Sequence, residues 1–242
     1  MTGTLYGLGV GPGDPELITV KALRLLRHCP VIAYPAADEG DSLARAIVAP
    51  YLVPGTTPPP QEIVLRLPMR TDREAARAGY DRGAADIAAH LDQGRDVAAL
   101  CEGDPLFFGS FMYLFDRLAG RYRVEIVPGV SSLGAAAASA GLPLVERNQV
   151  LSVIPAPLPA PDLEARLRRG DACAIVKLGR HFTKVRAVLG DLGLLDHARY
   201  VERATMDRQR VLPVRAVDPG TVPYFSLILV AARGAQALPE VS

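Results

Sequence analysis

The sequence carries almost no excess charge of either sign: 27 Lys and Arg stand against 26 Asp and Glu, a net charge of +1. No overall field therefore draws the chain to nucleic acid or to an anionic membrane, although specific binding of an anion by a local arginine cluster stays open. Cysteine is scarce. Cys29, Cys101 and Cys173 are odd in number, scattered, and set in apolar contexts without a C-x-x-C pair. This argues against a disulfide framework or a protein-bound metal and for reduced core thiols in a cytoplasmic protein. Long apolar runs are missing as well. The stretch from Leu227 to Ala232 is far too short to span a bilayer, and no basic segment precedes the apolar residues near Met1, so neither membrane insertion nor secretion is expected.

What the sequence does have is glycine in a telling place. A short apolar strand near the start runs through Gly7, Gly9, Gly11 and Gly13, and backbone without side chains at a strand end lets a ligand lie close against the chain. The spacing is not that of a dinucleotide fingerprint. Counting G-x-G-x-x-G from Gly7 puts Pro12 in the third glycine's place, and counting from Gly9 puts Asp14 there. No Gly-Lys-Ser/Thr follows, which removes a phosphate-cradling P-loop. The turn is stiffened by Pro12 and Pro15 and leads into Leu17, Val20, Leu23 and Leu26, apolar positions at helical spacing.

The 242 residues, 49% of them hydrophobic, suffice for one large domain or two small ones. Strand-like runs alternate with helical patterns at Leu5–Val10, Val31–Tyr34, Val97–Cys101, Val124–Val127, Val150–Ile154, Cys173–Leu178, Tyr200–Glu202 and Phe225–Val230. This predicts an α/β fold with largely parallel pairing. The rhythm restarts after Pro128-Gly-Val-Ser-Ser with a small-residue helix over Leu133–Ala140, so the boundary falls near residue 130 and the domains are 1–130 and 131–242. The proline-rich segment from Val53 to Pro60 is a loop, either facing a substrate or lying inert at the surface, and the prolines from Pro155 to Pro161 make a rigid connector.

Two more strand ends carry polar chemistry. In Glu102-Gly-Asp-Pro, Gly103 permits close approach, and Asp104 either binds a ligand hydroxyl or amino group or caps a helix beginning near Pro105. Ser131 and Ser132 offer hydroxyls and backbone N–H groups at a helix start, an ordinary cap unless a ligand is near. Four histidines, His28, His90, His181 and His197, are the neutral-pH base candidates, with His181 the best placed; surface or capping roles suit each of them too.

Taken in order, Gly-Val-Gly-Pro-Gly-Asp, then Glu-Gly-Asp-Pro-Leu-Phe-Phe-Gly, then Val-Pro-Gly-Val-Ser-Ser resembles the signature of the tetrapyrrole (precorrin) methyltransferases across nearly the whole chain. Val176-Lys-Leu-Gly-Arg180 and Pro223-Tyr-Phe-Ser-Leu-Ile are most similar to the branch that methylates C20 of precorrin-2 in cobalamin biosynthesis. The resemblance implies two α/β domains with S-adenosylmethionine in the cleft between them, a homodimer, and a tetrapyrrole substrate. Residue by residue, it implies that Pro12 borders the cofactor, that Glu102, Gly103, Asp104 and Phe107 hold its methionine and ribose parts, and that Ser131, Ser132, Leu178 and Ala204 contact it further. Some relatives have glycine where Glu102 stands. No nucleophilic side chain is needed, because the macrocycle carbon is the nucleophile. The substrate's acetate and propionate groups call for arginines, of which Arg66, Arg70, Arg147 and Arg180 lie in loops or near strand ends. Enzymes of the same fold acting on cobalt-factor II, on another macrocycle carbon or, like diphthine synthase, on a protein would share these cofactor motifs. A non-catalytic nucleotide-binding or regulatory module is disfavoured, since it would have no need to keep both the Gly-Asp-Pro loop and the Pro-Gly-Val-Ser-Ser turn.

Overall fold

In a computed structural model of the chain, the described residues are 1–38, 40–52, 59–67 and 73–232. They form two compact units, Met1–Ser131 and Ser132–Ser242. Most of the predicted loop from Val53 to Pro60, and Arg70 with it, lies outside the described residues.

In the first unit β1 (Thr4–Gly9), β2 (Val31–Ala37), β3 (Gln61–Leu67), β4 (Val97–Cys101) and β5 (Arg123–Val127) form an all-parallel sheet in the order β3-β2-β4-β1-β5. Both faces are apolar, as a parallel sheet covered by helices requires. Leu8, Ile32 and Leu100 pack under α1 (Val20–His28) and α2 (Leu43–Val48), while Leu5, Ala33 and Ala99 pack under α3 (Arg73–Asp92) and α4 (Phe111–Leu118). The predicted helical stripe shifts. Asp14 and Pro15 set a separate 3-10 turn over Pro15–Leu17, α1 starts only after the Thr19 cap, and its buried face is Ala22, Leu25 and Leu26 while Val20 is exposed. The link from β1 to β2 runs over the α1 face and that from β4 to β5 over the α4 face, so the chain diverges between the C-terminal ends of β1 and β4. In open α/β sheets that divergence marks the crevice where ligands bind.

The second unit holds α5 (Ser132–Ala140), β6 (Leu151–Pro155), α6 (Ala160–Leu167), β7 (Ala172–Val176), α7 (Phe182–Asp191), β8 (Ala198–Glu202), β9 (Arg210–Pro213) and β10 (Ser226–Val230). Its sheet order is β6-β7-β10-β8-β9. Only β6 and β7 pair in parallel; β10 runs antiparallel to both β7 and β8, and β9 antiparallel to β8. The expectation of largely parallel pairing therefore holds for the first sheet and fails for the second. The link from β8 to β9 is too short for a crossover helix, and β10 enters from the opposite end to sit between two parallel strands. Pro159 and Pro161 open α6, where the first turn needs no N–H donors. Tyr200 and Phe182, both fully buried, meet edge-on with centroids 5.8 Å apart at the centre of this unit's core.

Candidate active site

At the C-terminal edge of the first sheet the backbones of β1 and β4 converge beyond their paired residues. The Gly103 N–H donates to the Gly11 carbonyl at 2.7 Å, and Val10 N–H to that of Cys101 at 3.0 Å. Gly11 and Gly103 both adopt left-handed backbone, with φ of +85° and +64°, a region where an L side chain is strained.

The four glycines of the opening run do not all face a ligand. A Cβ on Gly7 would lie 2.5 Å from the ring of Phe111, and one on Gly9 2.5 Å from the amide nitrogen of Gly129. Their missing side chains admit a core ring and a neighbouring backbone. Gly103 differs, since a Cβ there would meet nothing nearer than the Val130 carbonyl oxygen at 3.8 Å.

No helix begins at Pro105, because α4 starts only at Phe111, so Asp104 does not cap one. Its carboxylate instead closes a turn and joins two loops. Oδ1 accepts from the amides of Leu106 at 2.9 Å and Phe107 at 3.1 Å, and Oδ2 accepts from that of Gly129, just after β5, at 3.1 Å. Beyond this turn Leu106, Phe107 and Phe108 leave large apolar side chains exposed, with Phe107 and Phe108 edge-on at 5.2 Å. Glu102 has a different partner: its Oε1 accepts from the amide of Ala44 at the start of α2, at 3.2 Å. Burial pushes this carboxyl above the ordinary carboxylate range, and the amides of Glu102 itself and of Ala44 counter that only in part.

In the second unit β7 and β8 end at one edge, and the start of β10 meets them there. Three residues at these ends hold left-handed backbone without being glycine: Lys177 (φ 57°), Arg203 (φ 49°) and Thr205 (φ 68°). Each such conformation costs on the order of 1–3 kcal/mol and persists where surrounding contacts impose it. Here the Arg203 amide donates to Phe225 O at 2.8 Å and that of Thr205 to Gln209 Oε1 at 2.6 Å. Tyr224 and Phe225 are exposed beside them, edge-on at 5.1 Å. Gly179, Arg180 and His181 form a 3-10 turn at the same edge. Burial, then the charges of Lys184 and Arg180, hold the His181 imidazolium pKa below its ordinary value.

The family described as Tetrapyrrole (Corrin/Porphyrin) Methylases matches residues 4–218. The chain belongs to that family. Among its relatives, the cobalamin biosynthesis protein CobIJ of Mycobacterium bovis is 48% identical over 98% of this chain but 47% of its own length, so the chain spans about half of that relative. The precorrin-2 C(20)-methyltransferase of a Sinorhizobium species is 41% identical over 94% of this chain and 95% of its own length. Among solved structures, the uroporphyrin-III C-methyltransferase of Thermus thermophilus complexed with S-adenosylhomocysteine aligns with a TM-score of 0.65 and 27% identity, covering 95% of this chain and 92% of that one.

In this tetrapyrrole methylase, Pro12, Glu102, Gly103, Asp104 and Phe107 gather at the β1 and β4 ends, with Ser131 at the close of the first unit. Ser132 opens α5 in the second unit, and Leu178 and Ala204 follow β7 and β8. Both Leu178 and Ala204 bury their side chains in the core, so backbone is what they offer a ligand. Arg66 is occupied: its Nη1 donates to the carbonyls of Ala37 at 2.8 Å and Gly40 at 3.1 Å. His28 closes α1, 4.0 Å from Asp96, which precedes β4; His90 lies in the last turn of α3 and receives the Arg95 amide on its carbonyl; and His197 directly precedes β8, so His28 and His90 stand at the end of the first sheet opposite the glycine turn. Nothing local in the sequence marks the Gly129 amide, 25 residues away, as a partner of Asp104. No helix among the described residues is long and apolar enough to cross a membrane.

Proposed function

We propose that this chain transfers a methyl group from S-adenosylmethionine to C20 of precorrin-2, giving precorrin-3A in cobalamin biosynthesis. The observation that carries this is the 41% identity to a precorrin-2 C(20)-methyltransferase over nearly the full length of both chains. The glycine turn supports it: the open, left-handed Gly103 gives a ligand room against the backbone, and the amides and carbonyls of the converging loops lie alongside. Pro12, Glu102, Gly103, Asp104, Phe107 and Ser131 hold the cofactor on the first unit, and Ser132, Leu178 and Ala204 on the second. When bound, S-adenosylmethionine supplies a methyl group on a sulfonium.

In-line transfer needs the acceptor carbon about 3 Å from that methyl and little water around it, so the chain's task is mainly orientation and desolvation. Exposed apolar Leu106, Phe107 and Phe108 exclude water beside the loop. Arg180 pairs with a carboxylate of the macrocycle. His181, kept neutral at pH 7 by its lowered pKa, accepts the proton that leaves C20. In this reading the enzyme works as a homodimer in the cytoplasm, holds no metal of its own, and has neither nucleic acid nor membrane as partner. Purified protein incubated with labelled S-adenosylmethionine and precorrin-2, with and without cobalt, should place one label at C20. Label on another carbon, or none with either substrate, refutes the assignment.

A further inference from the structure

Glu202 and Glu102, each at the end of a strand, are matched differently. Glu202, buried at the end of β8, receives the Tyr200 hydroxyl and lies 3.0 Å from Arg203 Nη1 and 3.6 Å from Arg210 Nη1. At the edge of the first sheet, Glu62 likewise takes Arg45, at 3.0 Å, and the hydroxyl of Tyr34. Glu102 has no such partner. Among the described residues its carboxylate is met by backbone amides and by no cation, and its titratable neighbours, Cys101 and Tyr80, are uncharged and push it no lower. A desolvated carboxylate without a counter-charge is costly in the free protein and is relieved by a cationic ligand. Glu102 is also the residue just before Gly103, whose backbone is open on the side away from Val130.

We propose that Glu102 supplies the counter-charge for the positive end of the cofactor and thereby makes this site prefer the sulfonium form over the neutral sulfide product. This rests on the reading that S-adenosylmethionine lies against the Gly103 loop. The charge change follows from the reaction itself. As the methyl carbon bonds to the macrocycle carbon, the electron pair of the broken S–C bond stays on sulfur, and the ligand loses one positive charge. Glu102 is then left without its partner, which favours release of S-adenosylhomocysteine. Where relatives have glycine at this position, that discrimination has to come from elsewhere.

The test is titration calorimetry of the whole chain and of Glu102→Gln with three probes: S-adenosylmethionine, S-adenosylhomocysteine, and sinefungin, which carries an ammonium in place of the sulfonium. The expected result is that Glu102→Gln weakens S-adenosylmethionine and sinefungin about tenfold while S-adenosylhomocysteine stays within about twofold of the parent value. Equal weakening of all three makes Glu102 a structural anchor for Ala44 and overturns the proposal, as does no change in any. If the glutamine variant does not fold, Glu102→Gly is read by the same ratios. Failure of the unsubstituted chain to bind any of the three overturns the cofactor reading itself, a result separable from a wild type that binds all three and a variant that keeps the same ratios.

Discussion

Replacing Asp104 separates a brace from a ligand. Its carboxylate accepts three amides, two at an exposed turn and one, from Gly129, partly buried. Hydrogen bonds to a charged group contribute about 1.5–3 kcal/mol each; with the low end for the Gly129 bond and about half of that for each exposed one, Asp104→Ala should lose roughly 3 kcal/mol of stability. Asp104→Asn is the sharper probe. An amide keeps one oxygen for Leu106 and Phe107 but turns an NH2 group toward the Gly129 N–H, where two donors face each other. The loss should then be about 1.5 kcal/mol, localised at the β4 and β5 loop ends. Urea unfolding gives the two values. Amide hydrogen exchange should show Gly129 opening roughly tenfold more often in the asparagine variant while Phe107 stays protected. If both variants unfold within about 0.5 kcal/mol of the parent, the three bonds hold nothing. If stability is unchanged but calorimetry shows cofactor affinity lost, Asp104 is a direct ligand and the brace is wrong.

Gly103→Ala should fold with a penalty of about 1 kcal/mol for its left-handed backbone and should lose S-adenosylmethionine binding, because its Cβ fills the open space; retained calorimetric affinity would put the cofactor elsewhere. Gly7→Ala, driving a Cβ into the Phe111 ring, should cost about 1–3 kcal/mol in urea unfolding, whereas Gly134→Ala in α5, with nothing within 4 Å, should stabilise by about 0.5–1 kcal/mol; a reversed order would contradict the packing described. Arg180→Ala should raise the tetrapyrrole dissociation constant, and added salt should weaken tetrapyrrole binding while leaving that of S-adenosylmethionine nearly alone; fluorescence titrations showing salt-insensitive macrocycle binding would point to apolar stacking instead. A carboxyl with a raised pKa makes the folded state bind more protons than the unfolded one, so Glu102 lowers stability as pH rises through the window between its unfolded and folded values. Glu102→Gln should therefore gain on the parent as pH rises above the ordinary carboxylate range in thermal melts; a gap that does not change with pH refutes this.

The first sheet was largely legible because each of its buried strands reads as an unbroken apolar run. β3 escaped, since exposed Gln61 opens it and Glu62, Val64 and Arg66 point outward on an edge strand, hiding its inward Ile63 and Leu65. β9, four residues ending in Pro213, carries too little pattern to separate from a loop. The direction of β10 was illegible for a different reason: Ser-Leu-Ile-Leu-Val is equally apolar read either way, and only its pairing with β7 and β8 decides. At the candidate site, Gly103 and Asp104 were visible as types and order. Their division of labour was not, because a glycine that admits Phe111 and a glycine left open look alike in sequence, and an aspartate's partner 25 residues away has no local mark.

The place of β10 bears on how the chain folds as it is made. It is the last strand of its sheet to be synthesised, yet it fills the middle, joining the pair β6-β7 to the pair β8-β9. Until Ser226–Val230 has left the ribosome, β7 and β8 have no common neighbour, and the core face built on Ile228 and Val230 stays open. The first unit has no such dependence, since its five strands are complete by Val127. A nascent chain should therefore hold a folded amino-terminal half and a second half waiting with apolar strand edges unpaired, the interval in which aggregation competes with folding.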